Sequence, residues 1–236
     1  MDFRDLKSWG NALLRVIFPE VCEVCGRALT EGENIICLHC MMDLPKTLLH
    51  NDQFNSIHQR LAGSVPIEKA AGYFYYYRES DYAKMIHRAT YNNQPRILHW
   101  LAQQYVSEIK CDGFFDGIDL IQPVPMHWLK KMHRGYNQSE EIAIAISAAT
   151  GIEKCDCLTC VHRRSSQTRK QRFDRWLNVK DRYNVKNIES LNGKHILIVD
   201  DVITTGATIL ACCEAIHKLS PHTRLSVLSL GVTHLQ

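Results

Sequence analysis

The run His195–Thr208, HILIVDDVITTGAT, constrains the fold of this chain more than any other stretch. Ile196–Val199 is a short, largely β-branched apolar run, the composition of a strand covered on both faces. Two carboxylates, Asp200 and Asp201, stop it, and the loop Thr204, Thr205, Gly206, Ala207, Thr208 opens a helix expected over Ala207–Lys218. The same alternation recurs along the chain. Tyr73–Tyr77, from Ala70, has the aromatic bias of a strand; helical spacing covers Tyr82–His87 and Ile97–Ile109, with Asn92, Asn93 and Pro95 breaking between them. Leu120–Val124 is a short strand, Ser139–Thr150 a helix that Ser139 would cap and Gly151 end, and Leu225–Val232 a last strand. Strands alternating with long helices pair in parallel through crossovers, so the expected class is α/β with a Rossmann-like parallel sheet.

The loop after the Asp pair carries chemistry. A helix N-terminus offers unpaired backbone N–H groups and partial positive charge, and Gly206 lets the backbone approach a ligand without a Cβ in the way. Thr204, Thr205 and Thr208 add hydroxyl donors, which makes a cradle for a phosphate. Asp200 and Asp201, as acceptors, suit a sugar diol. Diol and phosphate one loop apart describe a ribose 5-phosphate. Direct metal binding or helix capping by the aspartates is the alternative. The run lacks the Lys of GxxxxGK[ST], so it is no nucleoside triphosphatase loop.

Ten cysteines are many for a chain expected in the cytoplasm. That location is expected because no apolar run approaches the roughly 18 residues of a membrane span, and Met1–Pro19 carries Asp2, Asp5 and Arg15 without a small-residue cleavage site. Cys22, Cys25, Cys37 and Cys40 form two CxxC pairs 11 residues apart, the spacing of two knuckles that share one tetrahedral ion. Four soft thiolates suit Zn²⁺ and leave no open position, so the expected ion is structural. Gly26 and Gly32 fit the turns of such a zinc-ribbon-like module. Cys155, Cys157 and Cys160 could form a second site with His162, but CxC chelates poorly and Cys155–Val161 alternates like a strand. Cys212 and Cys213 read as small core residues.

Three regions are expected: residues 1–47, a helix with apolar positions at Phe3, Leu6, Trp9, Leu13, Leu14 and Ile17 followed by the four-cysteine module; 48–66, a polar connection; and 67–236, the α/β domain. The net charge of +3 hides an asymmetry. Trp128–Arg182 holds 12 Lys and Arg against 6 Asp and Glu, a local +6, which leaves 16 basic and 19 acidic residues, or −3, elsewhere. Lys130, Lys131, Arg134, Arg163, Arg164, Arg169, Lys170 and Arg172 alternate there with Trp128, Tyr136, Phe173 and Trp176. Residues of these kinds serve a diphosphate or a single-stranded nucleic acid equally well.

The chain resembles the ComF family of type I phosphoribosyltransferase-like proteins. The likeness spans nearly the whole sequence: the four-cysteine module, PVP at Pro123–Pro125, RGYNQSEEIA at Arg134–Ala143, SQT at Ser166–Thr168, RWLNV at Arg175–Val179, and Ile196–Thr208, which is similar to the motif that binds 5-phosphoribosyl 1-diphosphate (PRPP). The resemblance implies a type I phosphoribosyltransferase fold, with Asp200 and Asp201 on the ribose hydroxyls and Thr204–Thr208 on the 5-phosphate. It further implies Arg134, Gln167 and Arg172 or Arg175 at the pyrophosphate, with Ser165–Asn178 folding over it, and Mg²⁺ arriving with PRPP. The family tends to place a lysine before a tyrosine where this chain has Thr90 before Tyr91. Two roles are implied: transfer of the phosphoribosyl group to a nitrogen acceptor, or a non-catalytic accessory of DNA uptake that binds PRPP and single-stranded DNA alongside competence or DNA-processing proteins. A third reading makes the cysteine module a protein-docking platform.

Overall fold

The computed structural model describes residues 19–161 and 182–234, so the helix expected over Phe3–Phe18 lies outside them. The described strands are β1 (Ala70–Tyr75), β2 (Leu120–Pro123), β3 (Glu153–Lys154), β4 (Leu158–Cys160), β5 (Tyr183–Val185), β6 (His195–Ile203) and β7 (Arg224–Val232). Five of them make one sheet in the order β1-β7-β6-β2-β3, every neighbouring pair parallel. β4 and β5 form a separate antiparallel pair, which confines the strand expected over Cys155–Val161 to three residues.

β6 is central: it pairs with β7 from His195↔Arg224 to Ile203↔Val232, and with β2 from Leu120↔Ile196 to Pro123↔Val199. Helices cover both of its faces. Leu197 and Val199 belong to a core built with α4 (Pro95–Ile109) and α6 (Gln138–Thr150), whereas Ile196 and Ile198 join a second core with α7 (Ala207–Leu219). Two-sided burial explains why the strand reads as an unbroken apolar run instead of alternating. Cys212 and Cys213 are fully buried in the second core, as expected of small hydrophobic side chains.

Local signals account for the remaining helices. α3 (Asp81–Tyr91) starts where the Ser80 side chain accepts a hydrogen bond from Ala83 N, and it ends before Asn93, whose φ of 52° suits Asn better than a branched residue. Pro95 opens α4, which buries Ile97, Leu98, Leu101, Ala102, Tyr105, Val106 and Ile109 at helical spacing. α5 (Trp128–Arg134) buries no residue.

The cysteine module packs on the first core through Cys22, Ile36, Cys37, Cys40 and Leu44; Cys40 lies on the short helix α1 (Leu38–Met42). The chain leaving it bonds to the outer edge of β1, with Tyr75 N donating to Pro45 O and Thr47 N to Tyr73 O, which covers an edge that would otherwise be open to association. Leu48–Pro66 is not a bare connection. It holds α2 (Ser56–Leu61), whose Ile57 and Leu61 are fully buried in the second core. Six residues are too few for a periodicity to stand out in sequence.

Gly72 of β1 faces Val232 so closely that a Cβ built on it would lie 2.1 Å from Val232 Cγ2. Gly72→Ala is therefore expected to destabilise the fold by about 1–3 kcal/mol, the usual cost of overpacking. Urea unfolding measures this, and an unchanged midpoint would show that β1 can shift away from β7.

Candidate functional site

Because all five strands run parallel, their carboxyl ends lie on one edge of the sheet, and β6 delivers Asp200 and Asp201 to it. Asp200 is buried. Its Oδ1 accepts hydrogen bonds from Ser139 Oγ at 2.8 Å and from Asp201 N at 3.0 Å, while Val202 N donates to Asp201 Oδ1 at 2.7 Å. Burial, reinforced by the neighbouring Asp201 charge, pushes the Asp200 carboxyl above the ordinary carboxylate range. Burial also raises Asp201, against the Val202 N–H and the charge of Arg134. Ser139, expected as a cap, is instead the second residue of α6; Asn137 occupies the cap position. The hydroxyl at 139 thus serves the carboxylate across the sheet edge.

Beyond the pair, Gly206 takes a left-handed conformation (φ 80°) and starts the 13-residue α7, with Thr204 and Thr205 exposed and Ala207 and Thr208 half-buried. A Cβ on Gly206 would sit 3.1 Å from Leu61 Cδ2 and 3.5 Å from Arg60 Cβ, so α2 lies directly against this turn. Arg60 was unmarked in the sequence, yet its Nη1 donates to Thr204 O at 2.5 Å and to Ile203 O and Thr233 Oγ1 at 3.3 Å, and its Nη2 donates to Thr233 O.

The RGYNQSEE segment joins the surrounding elements to this edge. Tyr136 is buried with its hydroxyl on Ala89 O, and Asn137 Nδ2 donates to Val124 O. Tyr136 is therefore not available to stack a base, contrary to the reading of the basic segment. Arg134 lies over the Tyr91 ring, 5.4 Å from its centre, and its Nη1 donates to Gln138 Oε1 at 3.3 Å. Its positive charge lowers the Asp201 carboxyl pKa, opposing the effect of burial. Gln167, Arg172 and Arg175, with the rest of Ser165–Asn178, lie outside the described residues. Thr90, at the position of the expected lysine, is buried and donates to Ile86 O within its own helix.

The four N-terminal cysteines converge, with all Sγ atoms within 4.8 Å of one another. Cys25 Sγ and Cys37 Sγ are 3.8 Å apart, which is about the edge of a tetrahedron with 2.3 Å metal–sulfur bonds. Val24 N and Cys37 N donate to Cys22 Sγ at 3.4 and 3.3 Å, and Gly26 turns at φ 74°. At Cys37, burial opposes the thiolate, but hydrogen bonds from the Cys40 backbone and Arg27 outweigh it and hold the thiol down at about 6. This is the one group of three or more metal-capable side chains found together among the described residues. Cys155 and Cys157 approach to 4.0 Å between sulfurs, with no third ligand grouped with them among the described residues, and His162 lies outside those residues. No helix among the described residues is long and apolar enough to cross a membrane.

A family model described as the phosphoribosyl transferase domain matches residues 101–229. The DNA utilization protein YhgH of Escherichia coli (strain K12) is 25% identical over 203 residues, covering 80% of this chain and 80% of that protein. Competence protein F of Haemophilus influenzae is 33% identical over 146 residues, covering 57% of this chain and 61% of that one. Among solved structures, the allosteric regulatory enzyme of purine biosynthesis aligns over 56% of this chain with a TM-score of 0.39 and 19% identity, and this chain spans 25% of its length. An adenine phosphoribosyltransferase aligns over 62% of this chain and 75% of its own, with a TM-score of 0.37 and 15% identity.

The raised Asp200 has a stability consequence. The folded chain keeps a proton that the unfolded chain has already released, so stability of the ligand-free protein falls as pH rises out of the carboxylate range through neutrality. Asp200→Asn keeps an acceptor for Ser139 but cannot ionise. It should flatten this dependence and raise the urea midpoint at alkaline pH relative to wild type; two parallel pH profiles would contradict the assignment.

Proposed function

The chain belongs to the phosphoribosyl transferase domain family, and on that premise we propose that the carboxyl edge of its sheet binds PRPP. One observation carries this reading: a carboxylate pair, Asp200 buried and Asp201 half-buried, near the end of the central parallel strand is followed by a left-handed glycine that opens a long helix. Asp200 and Asp201 would take hydrogen bonds from the ribose hydroxyls, and the N–H groups and hydroxyls of Thr204–Thr208 would surround the 5-phosphate. Arg134, whose charge acts on Asp201, would contact the pyrophosphate, with Gln167, Arg172 and Arg175 as its companions. Mg²⁺ arriving with PRPP would neutralise leaving-group charge on the diphosphate. The two carboxylates orient the ribose and favour positive charge developing at its C1, while Ser139 holds Asp200 in place. The reaction class is displacement of pyrophosphate from C1 by a nitrogen acceptor.

A second reading keeps PRPP binding and replaces transfer with a role in handling single-stranded DNA. It draws on relatives named for DNA utilization and competence, and on α5, where Trp128, Leu129 and Met132 are exposed beside Lys130 and Lys131. For the cysteine module we propose one structural Zn²⁺ held by Cys22, Cys25, Cys37 and Cys40, since the thiol positions match a tetrahedral set.

Calorimetry with PRPP and Mg²⁺ should show binding by the wild type and a loss of about ten- to a hundredfold in the Asp200→Ala, Asp201→Ala variant, the scale of charged hydrogen bonds removed from a buried site. A wild type that binds no PRPP ends the proposal. Pyrophosphate release with a panel of amines and nucleobases separates the two readings, because the accessory role predicts none. Metal analysis should find about one zinc per chain. Cys37→Ser should lose it and melt earlier while still binding PRPP.

A further inference from the structure

We infer that Arg60, on the short helix α2, is the positioning residue that sets the 5-phosphate loop in its binding conformation; this rests on the PRPP reading of that loop. A backbone loop binds an anion only if its N–H groups face the ligand and its carbonyls face away. In a trans peptide the C=O of one residue and the N–H of the next point in opposite directions. Arg60 Nη1 draws the carbonyls of Ile203 and Thr204 toward α2, at 3.3 and 2.5 Å. The N–H groups of Thr204 and Thr205, which share those two peptides, are thereby turned to the opposite side.

The same guanidinium ties down the chain on the other flank of the turn. It donates from Nη1 to Thr233 Oγ1 and from Nη2 to Thr233 O, while Thr233 Oγ1 donates to Thr204 O at 3.2 Å and Thr233 N to Ile203 O at 3.0 Å. One planar fork therefore links the ends of β6 and β7, which a lysine could not do with the same geometry. Close packing of α2 against the turn needs Gly206, since a Cβ there would press on Leu61 and Arg60.

α2 is itself fixed. Asn55 is buried, its Oδ1 accepting from Ile57 N and His58 N, and its Nδ2 donating to Leu49 O, Asp52 O and Ala70 O of β1. Arg60 is thus held on a pinned helix. Among the described residues no carboxylate pairs with it, its Nε is buried without a partner, and burial lowers its pKa. A guanidinium left without an anion directly behind a phosphate loop is the charge that a dianionic 5-phosphate would balance.

Ribose 5-phosphate and PRPP share the 5-phosphate and differ at C1, so they locate the effect. Calorimetry well below the melting temperature should show Arg60→Gln weakening both ligands by the same factor, about tenfold or more, with Arg60→Lys between it and the wild type. A purely structural Arg60 would lower the melting temperature and leave both affinities at wild-type values, which overturns the inference, as does a loss confined to PRPP. Should Arg60→Gln fail to fold, Arg60→Lys carries the same comparison, and wild-type affinity for ribose 5-phosphate in that variant overturns the inference. A wild type that binds neither ligand removes the PRPP reading, a result distinct from wild-type binding that Arg60 does not affect.

Discussion

The carboxyl edge of the sheet depends on β6 being paired in parallel on both sides and buried on both faces. Pairing with β7 and β2 fixes where the strand ends relative to its neighbours, and covering by α4, α6 and α7 removes any freedom to rotate a side chain out to water. Asp200 and Asp201 are carried into this arrangement by the strand. They occupy their positions because the backbone ladder holds them there, at a cost in desolvation that Ser139 Oγ and two backbone N–H groups offset only in part.

That residual cost is informative about function. Burial raises the proton affinity of both carboxylates, and the Asp201 charge adds to it at Asp200; a sequence under selection for stability alone would place apolar or singly charged residues there. A ligand with hydroxyl donors and accompanying cations removes the penalty on binding. Behind the adjacent loop the polarity is reversed: Arg60 offers a cation to the carbonyl side of the turn, and the helix N-terminus offers N–H groups on the other. Negative and positive sites one loop apart are what the proposed binding of a diol and a phosphate requires.

Much of this was legible from residues alone where the signal is local. Ile196–Val199, the break at Asn92–Pro95, the two CxxC pairs and the core cysteines at 212 and 213 stand in the structure as their patterns imply. Ser139 shows the limit. A serine near the start of an apolar helix reads as a cap, and only the packing of α6 against β6 reveals that its hydroxyl goes to Asp200 instead. Tyr136 likewise looks like a stacking residue in a basic segment until the packing of α3 against it buries its ring.

What the sequence determined by itself is the set of elements and the chemistry each carries: an apolar strand that runs into two carboxylates, a glycine that opens a helix, four thiols in two pairs. These follow from near-neighbour physics, in which side-chain volume, β-branching, backbone freedom and metal-ligand spacing act within a few residues. The tertiary structure decided which of those groups meet. Arg60 lies 143 residues from Ile203 in sequence, and Ser139 lies 61 from Asp200. No local pattern encodes such contacts, because they exist only once α2 and α6 have been packed on opposite faces of a sheet whose strand order is set by the burial of the whole domain.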